Sequence, residues 1–189
     1  YSERFHFDVA DGHYSPTMLF FPDLVAGLRP HSERPFEVHL MTTDPSAWIE
    51  PFAEAGADII IFCFDAVDDP GAVLDAIKAR GLQAGVSLLL EEEIDLLEPY
   101  WEWLDVLCLL GTIAGIKGAD MDEMAPGRIR RAKAEIATRG LHTVVEADGG
   151  IRRHTVPKLA EAGADFIVPG SLMFKEDPAE MRAWLASLR

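Results

Sequence analysis

Four side chains in this sequence have the types and spacing to hold a divalent cation: His6, Asp8, His39 and Asp148. Phe5-His6-Phe7-Asp8-Val9 alternates apolar with polar residues, and in a β-strand residues two apart share a face, so a histidine and a carboxylate point the same way. His39 stands in the short apolar run Glu37-Val38-His39-Leu40-Met41, and Asp148 closes Val145-Glu146-Ala147-Asp148 just ahead of Gly149-Gly150. Polar groups inside apolar strands must be paired or bound to something. Two imidazoles and two carboxylates suit zinc, manganese or iron without selecting among them. Each residue also has a plainer role: one wet face of a strand for His6 and Asp8, a hydrogen-bonded core histidine for His39, a turn former for Asp148. At this level both readings stand.

To bring the four together, the chain needs strands that end on one side of a sheet. Apolar runs occur at Phe5–Val9, Phe36–Met41, Asp58–Phe64, Ala84–Leu90, Val106–Leu110, Thr143–Ala147 and Phe166–Val168. Between them lie segments with helical spacing, such as Trp48, Ile49, Phe52 and Ala53, or Val73, Leu74 and Ile77. Asp44-Pro45, Asp69-Pro70 and Asp177-Pro178 each read as a capping carboxylate followed by a first-turn proline. Gly56, Gly81, Gly140 and Gly163 read as helix ends. The acidic run Glu91-Glu92-Glu93 is expected to open a further helix, where it suits the positive end of the dipole. Glu54-Ala55-Gly56-Ala57-Asp58 recurs as Glu161-Ala162-Gly163-Ala164-Asp165, in both places a helix end turning into a strand. Repeated strand-helix units imply a parallel α/β sheet. Seven units fall one short of a closed (β/α)8 barrel, and an open doubly wound sheet remains possible on spacing alone.

With 189 residues, 49% of them hydrophobic, one domain spanning 1–189 is expected. Seventeen basic and 32 acidic residues give a net charge of −15, which disfavours nucleic acid as a partner. The longest apolar runs are too short to cross a bilayer, and Tyr1-Ser2-Glu3-Arg4 lacks the pattern of a secretion signal, so a cytoplasmic protein without membrane contact is expected. Cys63 and Cys108, each within an apolar run, read as reduced core thiols.

Three glycine-containing segments have the composition of anion-binding loops. Gly149-Gly150 follows one strand and Gly170-Ser171 the last, and backbone N–H groups at such places hold phosphate without a basic surface. Gly115, Lys117 and Gly118 lie in a segment of the right size to cover a substrate, with Lys117 able to meet an anion. Ordinary turns and a flexible loop are the plainer readings.

These motifs together resemble the ribulose-phosphate 3-epimerase family: His-x-Asp-Val-x-Asp-Gly-His from His6 to His13, Val-His-Leu-Met from Val38 to Met41, Asp-Gly-Gly-Ile from Asp148 to Ile151, then Thr155, Glu161–Asp165, Gly170-Ser171 and Phe174. The resemblance implies a phosphate-binding TIM (β/α)8 barrel whose first strand-helix unit is missing from this chain. It implies an isomerase of carbohydrate metabolism, a metal-dependent 3-epimerase of a phosphorylated ketose such as the pentose phosphate D-ribulose 5-phosphate, working through a metal-stabilised 2,3-enediolate. His6, Asp8, His39 and Asp148 would be the ligands of zinc, manganese, iron or cobalt. Asp8 and Asp148 would also be the catalytic acid/base pair, Met41 a cap on the enediolate, and the glycines, Lys117 and Ser171 the phosphate and substrate contacts. A homo-oligomer is implied as well.

The departures lie in the walls. Ala10 and Leu110 stand where the family has methionines, Cys63-Phe64-Asp65 replaces His-x-Glu, Leu89-Leu90 replaces Asn-Pro, and the lid carries Lys117. That pattern suits the same reaction on another ketose phosphate, such as allulose 6-phosphate or a tetrulose phosphate, or a non-catalytic sugar-phosphate sensor. A decarboxylase of the same barrel type would carry Asp-x-Lys-x-x-Asp on its third strand, and that string is absent.

Overall fold

A computed structural model describes residues 2–113, 118–174 and 177–188. Seven parallel strands form one sheet in chain order: β1 (Phe5–Ala10), β2 (Phe36–Met41), β3 (Ile59–Cys63), β4 (Gln83–Leu88), β5 (Val106–Leu110), β6 (Val144–Asp148) and β7 (Phe166–Val168). Strictly sequential order excludes the doubly wound alternative, whose strand order reverses at a switch point. Helices α1 (Pro22–Leu28), α2 (Ser46–Glu54), α3 (Pro70–Ala79), α4 (Ala125–Arg139), α5 (Val156–Ala162) and α6 (Pro178–Ala186) separate or follow the strands.

The expected caps form. Asp69 accepts from the Ala72 N–H and Asp177 from those of Ala179 and Glu180. Asp44 accepts from Ala47 N at 3.3 Å, although α2 begins one residue beyond the proline, at Ser46. Gly140 and Gly163 end their helices at φ 66° and 96°, in the left-handed region that favours glycine.

One expected helix is absent. Glu91-Glu92-Glu93 lies in a turn, and only short 3-10 helices, Ile94–Leu97 and Trp101–Trp103, connect β4 to β5. Pro99 has no N–H to donate back to the Asp95 carbonyl, so an α-helix from Ile94 could not keep its hydrogen bonds through it. Side chains satisfy the backbone instead: Glu92 accepts from Leu89 N at 2.7 Å, and Arg128 of α4 donates to the carbonyls of Leu89, Glu92 and Leu110 at 2.7, 2.9 and 3.0 Å.

The sheet is curled into a half-barrel and buries both faces. On its outer side Val38, Leu40, Phe62, Val86, Leu107 and Val145 pack with helix residues such as Phe52, Leu74, Ile77 and Ile129. Inside, Ile59, Ile61, Val106, Cys108 and Leu110 form a smaller cluster. Both cysteines are free and buried. The edge strands β1 and β7 are brought near each other, since the Arg4 guanidinium beside β1 stacks 4.0 Å from the centre of the Phe166 ring in β7. Among the described residues no helix is long and apolar enough to cross a membrane.

Candidate active site

The parallel register that pairs β1 with β2 sets Asp8 beside His39 and His6 beside Glu37, so alternation puts all four side chains on the inner face. Curling of the sheet brings β6 across to meet them. Ligand atoms of His6, Asp8, His39 and Asp148 then lie within 4.8 Å of one another. His6 Nε2 is 3.2 Å from Asp8 Oδ1, and His39 Nδ1 is 3.4 Å from the same oxygen.

His39 is fully buried, and its two nitrogens have different surroundings. Nε2 lies 2.9 Å from Ser87 Oγ, which in turn is 3.4 Å from the Phe62 carbonyl. With that hydroxyl donating to the carbonyl, Nε2 carries a proton, and Nδ1 is the nitrogen whose proton a cation at the cluster would displace. Nδ1 faces Asp8 Oδ1 without a well-aligned hydrogen bond. The series Ser87–His39–Asp8 has the order of a nucleophile triad, but Ser87 is wholly buried among strands and reaches no substrate. Its action is to orient the ring.

His6 is held from the other side. Its Nδ1 lies 2.7 Å from Glu37 Oε1 and 3.2 Å from Glu146 Oε1, and both glutamates are almost completely buried. Arg4 bridges the pair, with Nη1 2.6 Å from Glu37 Oε2 and Nη2 in contact with Glu146 Oε2.

Electrostatics divides the carboxylates. Burial resists ionisation of Asp8, but the His39 and His6 rings outweigh it and hold the carboxyl well below its usual range. Burial, then the negative charge of Asp8, pushes Asp148 up to about 6. Burial opposes charging of His39, yet the neighbouring Asp8 raises it to about 10, and His6 rises likewise against burial through Asp8, Glu146 and Glu37. The cluster thus attracts positive charge strongly. Two imidazole nitrogens, one of them the buried Nδ1 of His39, and two carboxylates fit a divalent cation.

The other expected residues are distributed around this centre. Met41 lies one pleat beyond His39 on the same face, half-buried and paired with Ala10. Gly149 and Gly150 follow β6 with φ 86° and 66°. A Cβ on Gly149 would fall 2.5 Å from Thr112 Oγ1, and one on Gly150 2.5 Å from the Met121 backbone. Gly111 N donates to Asp148 O at 2.7 Å, so the loops after β5 and β6 are laced together. Gly170 and Ser171 open a 3-10 helix after β7, the neighbour of β6, and are exposed. Gly118 is in a turn with φ 80°. Gly115 and Lys117 lie outside the described residues.

Arg4, Glu37, Ser87 and Glu146 were missed by motif reading. A signal existed: Arg4-x-His6-x-Asp8, Glu37-x-His39 and Glu146-x-Asp148 each place a charged residue two before a candidate ligand, on the same strand face.

The ribulose-phosphate 3 epimerase family model matches residues 2–174. The ribulose-phosphate 3-epimerase of Chlamydia pneumoniae is 33% identical over 190 residues, covering 100% of this chain and 83% of the relative. That of Rhodobacter capsulatus is 35% identical over 170 residues, covering 90% and 73%. Among solved structures, 3-keto-L-gulonate-6-phosphate decarboxylase from Vibrio cholerae superposes with a TM-score of 0.69 at 16% identity, over 97% of this chain and 84% of that one. 3-Hexulose-6-phosphate synthase from Salmonella typhimurium gives 0.60 at 19%, over 87% and 77%. At those identities the structures speak for the barrel-type fold alone.

Proposed function

The chain belongs to the ribulose-phosphate 3-epimerase family, an epimerase of the isomerase class, and on that premise we propose that it inverts C3 of a phosphorylated ketose, D-ribulose 5-phosphate in the first instance. The observation that carries this reading is the convergence of His6, Asp8, His39 and Asp148, with two carboxylates of opposed proton affinity in one cluster. Such a split assigns one group to take a proton and the other to give one.

In one direction the ionised Asp8 removes the C3 proton, and the resulting 2,3-enediolate receives a proton from Asp148 on the opposite face. In the reverse direction the roles exchange. A divalent ion held by His6, Asp8, His39 and Asp148 would supply Lewis-acid stabilisation of negative charge on the substrate oxygens. Ser87 and the Glu37–Glu146 pair keep the two imidazoles facing inward. Met41 lies on the same face and would limit water at the enediolate, and the glycines after β6 and β7, with Ser171, sit at neighbouring strand ends suited to a phosphate. The same reading assigns Gly115, Lys117 and Gly118 to a substrate cover. An eighth strand between β7 and β1 would complete the TIM barrel, and a homo-oligomer remains part of the proposal.

Ala10, only 4% exposed, and Leu110 support a second substrate reading, since smaller or branched groups replace methionine at the wall. Allulose 6-phosphate and a tetrulose phosphate are the substrates to compare. The test is incubation with each ketose phosphate in heavy water, with zinc, manganese, iron or cobalt supplied in turn. Deuterium should enter at C3 of at least one, accompanied by the C3 epimer; no exchange on any of them would leave a sugar-phosphate sensor in place of an enzyme.

A further inference from the structure

Beneath the proposed metal ligands lies a second charged layer that the reaction scheme does not use. Glu37 and Glu146 face each other in the interior, with side chains 0% and 1% exposed. They come from β2 and β6, strands that are not neighbours in the sheet. Both reach the same nitrogen, His6 Nδ1. Two carboxylates buried together repel whenever both are ionised, and removing them from water costs several kcal/mol each in roughly any protein interior unless a cation lies between them; burial pushes Glu37 up to about 7. Ligand atoms of His6, Glu37 and Glu146 also lie within 4.8 Å of one another, close enough to chelate an ion themselves.

That space is filled by the protein's own cation. Arg4 extends its guanidinium inward, with a side chain 11% exposed, and contacts Glu37 Oε2 through Nη1 and Glu146 Oε2 through Nη2. The face of the Phe166 ring, 4.0 Å from Cζ, fixes the plane of the guanidinium from the β7 side. With their Oε2 atoms on Arg4, the two glutamates turn Oε1 toward His6. The imidazole then donates from Nδ1 and directs Nε2 at Asp8.

We infer that Arg4 is a positioning residue of the metal centre, a built-in cation that clamps Glu37 and Glu146 and through them holds His6 in the tautomer and orientation a ligand requires. It touches neither the proposed ion nor the substrate. Carboxylates that hold the far nitrogen of a metal-bound histidine are worth roughly 10–100-fold in metal affinity. Here the carboxylates themselves are held in place and direction by Arg4. The inference rests on the reading that His6, Asp8, His39 and Asp148 hold a metal.

The experiment is a cobalt(II) titration of the metal-free protein, followed by visible absorption and by equilibrium dialysis, for the wild type and Arg4→Met. The variant removes the charge while keeping an unbranched side chain, and circular dichroism establishes that it is folded. The expected result is one tightly bound cobalt in the wild type, and about 10–100-fold weaker binding with altered d–d bands in the variant. Affinity within twofold of the wild type together with unchanged bands would overturn the inference. If Arg4→Met does not fold, Glu37→Gln is read in the same assay, since it keeps the shape and removes the charged acceptor; unchanged bands and affinity there overturn it equally. A wild type that binds no cobalt would sink the metal reading and this inference together, whereas tight wild-type binding with an indifferent variant sinks this inference alone.

Discussion

The interior of the half-barrel has two unlike sides. Strands β1, β2 and β6, with the residue ahead of β1, supply Arg4, His6, Asp8, Glu37, His39, Glu146 and Asp148, and of the four carboxyl groups among them Arg4 clamps two, Glu37 and Glu146. Strands β3 and β5 supply Ile59, Ile61, Val106, Cys108 and Leu110, which need nothing beyond each other. Between them β4 contributes Gly85, where a Cβ would fall 2.7 Å from Val106 O and 3.1 Å from Ile61 Cγ1, so the apolar side closes because glycine leaves room. One side is a packed wall and the other a layered cluster of charged groups. Stability and chemistry are therefore separable by position within a single sheet.

The sharpest way to break that division is Asp148→Asn. On the proposed mechanism it removes a proton carrier, so deuterium entry at C3 should fall about 10²–10⁴-fold. Because burial and the charge of Asp8 already disfavour an ionised Asp148, the metal-free variant should melt at the same temperature as the wild type or slightly higher. Loss of folding would mean that the polar side is structural after all. The reciprocal change is Val106→Ala on the packed wall. Two buried methyl groups and the cavity they leave predict a loss of about 2 kcal/mol in urea unfolding, with the exchange rate per folded molecule within about twofold of the wild type.

How much of this was legible in the sequence follows the same line. All seven strands stood out as apolar runs, because a parallel sheet buried on both faces has few polar positions. The four candidate ligands were legible for a related reason: a histidine or aspartate inside such a run conflicts with its surroundings. Glu37 and Arg4 conflicted with nothing, one standing second in a strand and the other ahead of one, positions where a charged residue is ordinarily wet. Only closure of the sheet, which brings Arg4 to Glu146 across 142 positions of sequence, makes them interior. Ser87 was hidden by its size, since a serine between Val86 and Leu88 reads as tolerated until His39 is seen against it. The helix expected at Glu91–Glu93 does not form, because an acidic run favours a helix start only where the residues after it can carry the helix on, and Pro99 lies a few residues away.

Asp11, at the mouth of the polar side, sharpens the contrast, because it is a carboxylate held by the backbone and a side chain of its own loops. Its Oδ1 accepts from the N–H groups of His13 and Tyr14, both at 2.8 Å, and its Oδ2 from Thr43 N at 2.8 Å and Thr43 Oγ1 at 2.9 Å, joining the loop after β1 to the loop after β2. Slight burial would raise its pKa, but these four donors outweigh it and hold the carboxyl well below its usual range. The folded state thus binds fewer protons here than the unfolded chain, whose carboxyl titrates near 3.8. The stabilisation from Asp11 is complete above that pH and is lost as pH falls through the lower folded value. Asp11→Ala should lower stability by about 1 kcal/mol at pH 7, as removal of a capping carboxylate does. Its melting temperature should trail the wild type by the same gap at pH 7 and pH 5, with the gap narrowing below about pH 4. A gap constant down to pH 3 would mean that the loop is held by its shape and not by the charge on Asp11. Charge would then count for little at the mouth of the polar side, and the contrast with the packed wall would be confined to the cluster of His6, Asp8, His39 and Asp148.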